Sequence, residues 1–419
     1  MKNVNERKPL LLVFPFNVLA HYLRCLKLAR YLSHHFEIQF LFSERYASFV
    51  SDEGYHTFRC ASFDADKVQE AARMFDFSWL NQQDVEQIYL DQVRIINEFK
   101  PAAVLADTVP TLKMATEKTN TTYFNLMNGY MTAYYACVRK MPASHPLYKY
   151  VKTLPSLLTE PLIKIGEQLA FEKIHVPFKK IRERYNLSAK QTYHQETEGD
   201  VNLVCDLPEL YPQKGLPSNY HFIPPLFYDP RNNSKEIVHQ LDKNKKTLFV
   251  SMGSTGEWNN VLFLNDPFFN KYNIVTAGDT LKVVNAPNVI GASFVNIHHV
   301  FPYTDLVLCH GGNGTVYQAL SYGLPILCKT AHFEQEWNVQ ALEKLNLGRG
   351  IDGLKNIQQY KMIFNEWMQN KNSDELQFIR NRLNTVCNNA QSIIDEMLAK
   401  TFSHIPVFMS ASLQQVMEV

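Results

Sequence analysis

The stretch from Leu306 to Lys329 constrains this chain more than any other. A short apolar run, Leu306–Cys309, leads into His310-Gly311-Gly312-Asn313-Gly314-Thr315. Val316–Tyr322 follows at helical spacing, then Gly323-Leu324-Pro325, then a second apolar run, Ile326–Lys329. Continuous apolar runs of this length read as strands buried on both faces, and Gly-Leu-Pro reads as a helix stop. A strand, a glycine-rich turn and a helix start together make an anion site. The glycines let the backbone approach closely, the free N–H groups of the first turn point outward, and the helix dipole favours negative charge. Thr315 adds a hydroxyl donor and His310 an imidazole donor. A lone Gly-Gly-x-Gly is more often a plain strand-to-helix turn. Here Glu334-Gln335 and Asn338 follow the next strand. Two loops therefore sit at the carboxyl ends of neighbouring parallel strands, where ligands bind in open α/β sheets.

The rest of the chain repeats the same rhythm. In the first half, Leu10–Phe16, Glu37–Phe42 and Ala102–Ala106 read as strands, with helical stretches at 21–34 and 84–100. This is a doubly wound α/β domain, 1–222. Within it, 129–190 is rich in tyrosine, proline and leucine and reads as a mainly helical insertion over the crevice; Val201–Cys205 reads as the last strand. Pro224, Pro225 and Pro230 mark a linker, 223–243. The rhythm restarts over 244–398, with strands at Thr247–Ser251, Ile274–Ala277, Asn288–Ile290 and the two runs above. The fold class is thus α/β with two similar halves. Long helical segments close the chain.

With 42 basic and 41 acidic residues the chain has no bulk charge for nucleic-acid binding. Its seven cysteines are scattered, with no Cys-x-x-Cys pair, which is the usage of a reducing compartment rather than of a disulfide frame or zinc site. The apolar run after Lys8 is too short for a secretion signal and holds Pro15; no window of about 18 apolar residues exists. A cytoplasmic location is expected, with peripheral membrane contact left open.

His21 follows the first strand after a short loop, and Asp107 ends a later strand of the same expected sheet. Two strand ends in one parallel sheet can face one crevice. A carboxylate beside an imidazole orients it and stabilises its protonated form, which is what a general base near pH 7 requires. Asp64-Ala65-Asp66 has the look of a metal-binding pair, but no phosphate loop lies beside it, and an ordinary surface role is expected. No histidine pair has metal-ligand spacing. Tyr130, Tyr134 and Tyr135 offer flat apolar walls for an acceptor pocket, as do Phe75, Phe77 and Trp79, with core packing as the alternative.

From Ala292 to Gln335 the chain resembles the donor-binding signature of the family 1 glycosyltransferases, closest to bacterial members that decorate natural products. The matching residues are His310, Gly312 and Thr315, then Gly323-Leu324-Pro325, then Glu334-Gln335 and Asn338. The resemblance implies a GT-B fold: two Rossmann-like domains facing a central cleft, with a closing segment, 399–419, returning to the first. It places His310, Gly312, Asn313, Gly314 and Thr315 at the donor diphosphate, joined by Gly253, Ser254 and Thr255. Glu334 and Gln335 would contact sugar hydroxyls, and Phe294-Val295 would lie against the base. The family shows a His and Asp acid/base pair at matching strand ends, and the resemblance places it at His21 and Asp107. Two positions depart from it: Gln318 stands where a ribose-binding glutamate is common, and Ala292 where plant members stack a tryptophan. The implied activity is inverting, metal-independent transfer from a nucleotide-diphosphate sugar of UDP or dTDP type, needing no cofactor, to a small hydrophobic acceptor. A sugar-nucleotide epimerase and a non-catalytic binding partner share the architecture and stand as alternatives.

Overall fold

The computed structural model describes residues 8–228, 234–253, 256–278, 284, 286–292 and 294–402, apart from the side chains of Ser156, Leu157 and Phe402. The apolar runs become the middle strands of two parallel sheets. The first sheet contains β1 (Leu10–Pro15), β2 (Glu37–Leu41), β3 (His56–Phe58), β4 (Ala103–Asp107), β5 (Thr122–Met127), β6 (Val201–Val204) and β7 (Tyr220–Phe222), in the order β3-β2-β1-β4-β5-β6-β7. The second contains β8 (Thr247–Ser251), β9 (Asn273–Ala277), β10 (Val289–Ala292), β11 (Leu306–Cys309), β12 (Ile326–Cys328) and β13 (Gly348–Gly350), in the order β10-β9-β8-β11-β12-β13. Both orders reverse direction at the centre, between β1 and β4 and between β8 and β11. These are the switch points at which a crevice opens beyond the strand ends. All five residues of β4 and all four of β11 are buried, as helices on both faces require.

Val201–Cys205 is not the last strand of its domain. β6 is followed by β7, a short edge strand with too few apolar residues to stand out in sequence. The helix Ser156–Arg184 is the longest element of the expected insertion. Only its first half overhangs the crevice. From Ile174 onward, Ile174, Phe178 and Ile181 are buried in the first domain's core, against the helix Gln82–Phe99. The chain comes back to the first domain along Ala390–Phe402, starting ahead of residue 399. Ile394, Met397 and Leu398 join the core that holds Leu26 and Leu32, and Asp395 meets His35 Nε2 at 2.7 Å. Residues 403–419 lie outside the described residues.

Candidate active site

The first helix, Leu19–Leu32, is fixed by its buried face of Tyr22, Cys25, Leu26, Ala29 and Leu32. Anchoring that face brings His21 and Arg24, one turn apart, over the end of β4, where Pro15 of β1 pairs with Asp107. His21 Nδ1 stands 2.9 Å from Asp107 Oδ1; His21 is 20% exposed and Asp107 fully buried. Arg24 donates from Nε to Asp107 Oδ2 and from Nη2 to Oδ1, and from Nη1 to Asn128 Oδ1. Thr108 Oγ1 donates to Asp107 Oδ1 at 3.1 Å. Thr108 has φ +61°, a strained backbone for a β-branched residue, at the turn just beyond the carboxylate. Burial opposes the charge on Asp107, but Arg24 and then His21 outweigh it and hold the carboxyl well below the usual carboxylate range. Arg24 was not anticipated from sequence. It is a fork on both carboxylate oxygens, and it fixes the group that orients His21.

The second half of the site lies at the other switch point. Cys309 at the end of β11 pairs with Ser251 of β8. His310 follows, then Gly311 with φ +87°, then Gly312 as N-cap of the helix Asn313–Ser321. A Cβ on Gly253 would come within 2.5 Å of His310 Cε1, and one on Gly312 within 2.3 Å of Nε2. The imidazole therefore fills the gap between the two loops, and both glycines are needed to seat it. A Cβ on Gly314 would meet nothing, so the first helical turn is open. Burial pushes His310 down to about 4, which leaves it neutral at pH 7, and its Nδ1 has no partner among the described residues. Thr315 is half-buried on the same turn. Ser254 and Thr255 lie outside the described residues. Gln318 Nε2 donates to the Tyr228 carbonyl in the linker at 3.3 Å. Val295 is buried in the second core, and Phe294 is largely exposed, its ring 6.3 Å from Phe49 of the first domain.

The helix Phe333–Lys344 contributes Glu334 and Gln335. Burial raises Glu334, while His21 and Arg24 across the cleft pull it down. It shares the cavity with His21 and Arg24. Gln335 is buried and holds its own turn: Oε1 accepts from Ala331 N at 2.7 Å, and Nε2 lies 2.8 Å from His332 Nε2. This helix also clasps the first domain. Trp337 Nε1 donates to the Lys140 carbonyl at 2.8 Å, Gln340 Oε1 accepts from Lys140 N at 2.9 Å, and Glu336 accepts from Ala143 N. Asp206, just past β6, is a second unanticipated link. Its Oδ2 accepts from Gly129 N at 2.6 Å and its Oδ1 from Asn313 Nδ2 at 3.2 Å.

Between the two halves lies a cavity of about 580 Å³ with mostly apolar walls. Its lining includes His21, Arg24, Gly312, Asn313 and Glu334, the aromatic residues Phe75, Phe77, Trp79 and Tyr130, and residues between 162 and 174 of the insertion helix. Tyr134 and Tyr135 do not line it. Tyr134 packs on Tyr220 beside β6 and β7, and Tyr135 on Tyr211, because the chain turns back toward that sheet edge after Thr132. Asp64 and Asp66 are not a metal pair: Asp64 caps the helix Ala65–Arg73 and Asp66 pairs with Arg45. Among the described residues no three His, Cys, Asp or Glu side chains gather as a metal site.

No family model matches the chain. It is similar to a PGL/p-HBAD biosynthesis glycosyltransferase of Mycobacterium tuberculosis (strain ATCC 25177 / H37Ra), 25% identical over 356 residues, 82% of this chain and 81% of the relative. It is similar at 25% identity to a PGL/p-HBAD biosynthesis rhamnosyltransferase of Mycobacterium bovis (strain BCG / Pasteur 1173P2), over 82% of this chain and 76% of the relative. Among solved structures, the glycotransferase of kitacinnamycin superposes with a TM-score of 0.69 at 16% identity, covering 94% of this chain and 100% of that one. The spinosyn rhamnosyltransferase SpnG, solved with spinosyn aglycone and with thymidine diphosphate, superposes with a TM-score of 0.62 at 13% identity, covering 92% and 99%. The structures establish the two-sheet architecture, and the named relatives the kind of enzyme it carries. The chain is a glycosyltransferase with the GT-B fold.

Proposed function

We propose that the enzyme moves a sugar from a nucleotide-diphosphate sugar of UDP or dTDP type to a hydroxyl of a small hydrophobic acceptor, with inversion and without a metal. One observation carries this reading: His21, held by Asp107 at 2.9 Å, lines the same cavity as Gly312 and Asn313 at the open helix turn. With Nδ1–H donating to Asp107, Nε2 is the ring nitrogen left to act as base. It takes the proton of the acceptor hydroxyl as that oxygen attacks the anomeric carbon. The bond to the diphosphate breaks on the opposite side. The leaving charge falls on the N–H groups of the turn, on the helix dipole and on neutral His310 as donor. Glu334, which feels both His21 and Arg24, is placed to hold the sugar between them. The apolar walls suit a hydrophobic acceptor, and the thymidine diphosphate bound by SpnG supports the donor type.

The test is to incubate the protein with dTDP- and UDP-sugars and a panel of hydroxylated aromatic and lipid-like alcohols. Nucleotide release is followed with and without acceptor, and the product's anomeric configuration by NMR. Acceptor-dependent release with an inverted product, unaffected by EDTA, is expected. A retained configuration, or activity restored only by added magnesium or manganese, would overturn the mechanism.

A further inference from the structure

The first half of the insertion helix turns an apolar stripe to solvent. Leu158, Leu162, Ile165 and Leu169 follow at the spacing of one helix face and are 59, 54, 57 and 60% exposed. Tyr150 and Leu154, 63 and 45% exposed, extend the patch through the preceding turn. Elsewhere such spacing points inward: in Gln82–Phe99 it buries Val85, Ile88, Tyr89 and Ile96. A contiguous exposed patch of this kind marks a surface that binds something. Its charged surroundings are mainly basic. Lys149, Lys152, Lys164 and Lys173 are exposed around it, against exposed Glu160 and Glu172, while Glu167 is engaged by Arg139.

Leu162, Ile165 and Leu169 also line the cavity, so the patch is continuous with the cavity wall. A protein seated on the stripe would cover this part of the cavity wall with fixed side chains, whereas a fluid lipid surface can yield to a ligand there. We propose that this face docks on an anionic lipid bilayer, the helix lying flat in the headgroup region with the cavity mouth against it. Residues 158–169 span roughly 17 Å, enough to lie on a surface, and no described helix is long and apolar enough to cross a membrane. Docking follows from the stripe and the lysines; entry of the acceptor from the bilayer rests additionally on the proposed reading of the cavity.

The experiment is co-sedimentation of the full chain with vesicles of phosphatidylcholine, with and without phosphatidylglycerol. Binding is expected to be stronger with phosphatidylglycerol and to weaken as salt rises. The triple substitution Tyr150→Ser, Leu154→Ser, Leu158→Ser, at residues outside the cavity, should lower partitioning about tenfold or more. Melting temperature and transfer to a water-soluble acceptor should stay unchanged. No binding to either vesicle, or binding untouched by the triple substitution, would overturn docking. So would a dimer in solution that the same substitutions dissolve, since the stripe would then be covered by a second copy. Vesicle binding is read without any sugar transfer, so its failure is distinct from failure of the proposed activity.

Discussion

Arg24 grips both carboxylate oxygens of Asp107, the residue on which His21 leans. A buried carboxylate bound by a planar fork cannot rotate, so the imidazole it orients is held as well. Arg24→Met would strand a buried charge, at about 3–5 kcal/mol of stability, read as a fall in melting temperature. Arg24→Lys keeps the charge but loses the fork. It should melt between wild type and Arg24→Met, with kcat reduced and donor affinity unchanged. A lysine variant with full kcat would show that the fork has no positioning role.

His21→Ala should lower turnover by roughly 10²–10⁴-fold. Donor binding, measured by calorimetry with the nucleoside diphosphate, should hardly change, because the glycine-rich turn after β11 stands on the other sheet. Near-normal transfer by this variant would remove His21 as base.

The legible part of this molecule is the part built on apolar runs. β1, β4, β8 and β11 are central strands covered on both faces, so their sequences are almost continuously apolar, and the residues just past them mark the two crevices. The positions of His21, Asp107 and His310 at those strand ends were readable for that reason. The edge strands β3, β7 and β13 were not: His56-Thr57-Phe58 is two-thirds exposed and Gly348-Arg349-Gly350 has no large apolar residue, so pairing alone defines them. Arg24 reads in sequence as one more cation on an amphipathic helix, and its role appears only when β4 is set beside β1. Asp206 ends the run Val201–Cys205 much as Asp107 ends its own strand, a signal present but unused. Tyr134 and Tyr135 could not be separated from Tyr130, because spacing does not tell which way an irregular segment turns.

Tyr130 and Tyr134 make that last distinction measurable. Tyr130 lines the cavity and packs on Tyr211 and Trp337. Tyr130→Ala should raise acceptor KM and change acceptor selectivity. Tyr134→Ala should cost only stability, read as a lower melting temperature, because its partly buried ring packs on Tyr220 and lines no part of the cavity. Equal effects of the two on KM would place the acceptor elsewhere.

His310 is wedged between Gly253 and Gly312 and is neutral at pH 7 because burial pushes it down to about 4. Binding of the nucleoside diphosphate should therefore lose little between about pH 6 and 8 on its account. His310→Gln keeps a donor and should weaken binding less than His310→Ala, for which a loss of roughly tenfold or more is expected. If alanine binds as well as wild type, the imidazole is a spacer rather than a phosphate contact.

Asp206 gives the pH dependence of the joint between the domains. It accepts from Gly129 N–H in the first domain and from Asn313 on the second domain's glycine-rich turn, and burial pushes its carboxyl up to about 6 against the pull of the Gly129 N–H. A carboxyl raised on folding contributes stability that is fully present below its ordinary value near 3.8 and is lost as pH rises through about 6. The charged form at neutral pH is thus a burden on the fold, at most about 3 kcal/mol for a shift of this size. Asp206→Asn removes it. Oδ1 of Asn313 has no partner among the described residues, so its amide can turn to accept from the new one. The variant should show a flatter melting-temperature curve between about pH 4 and 6 and should melt above wild type at about pH 8. Wild type and variant curves that run parallel across that window would mean that Asp206 is not the titrating group.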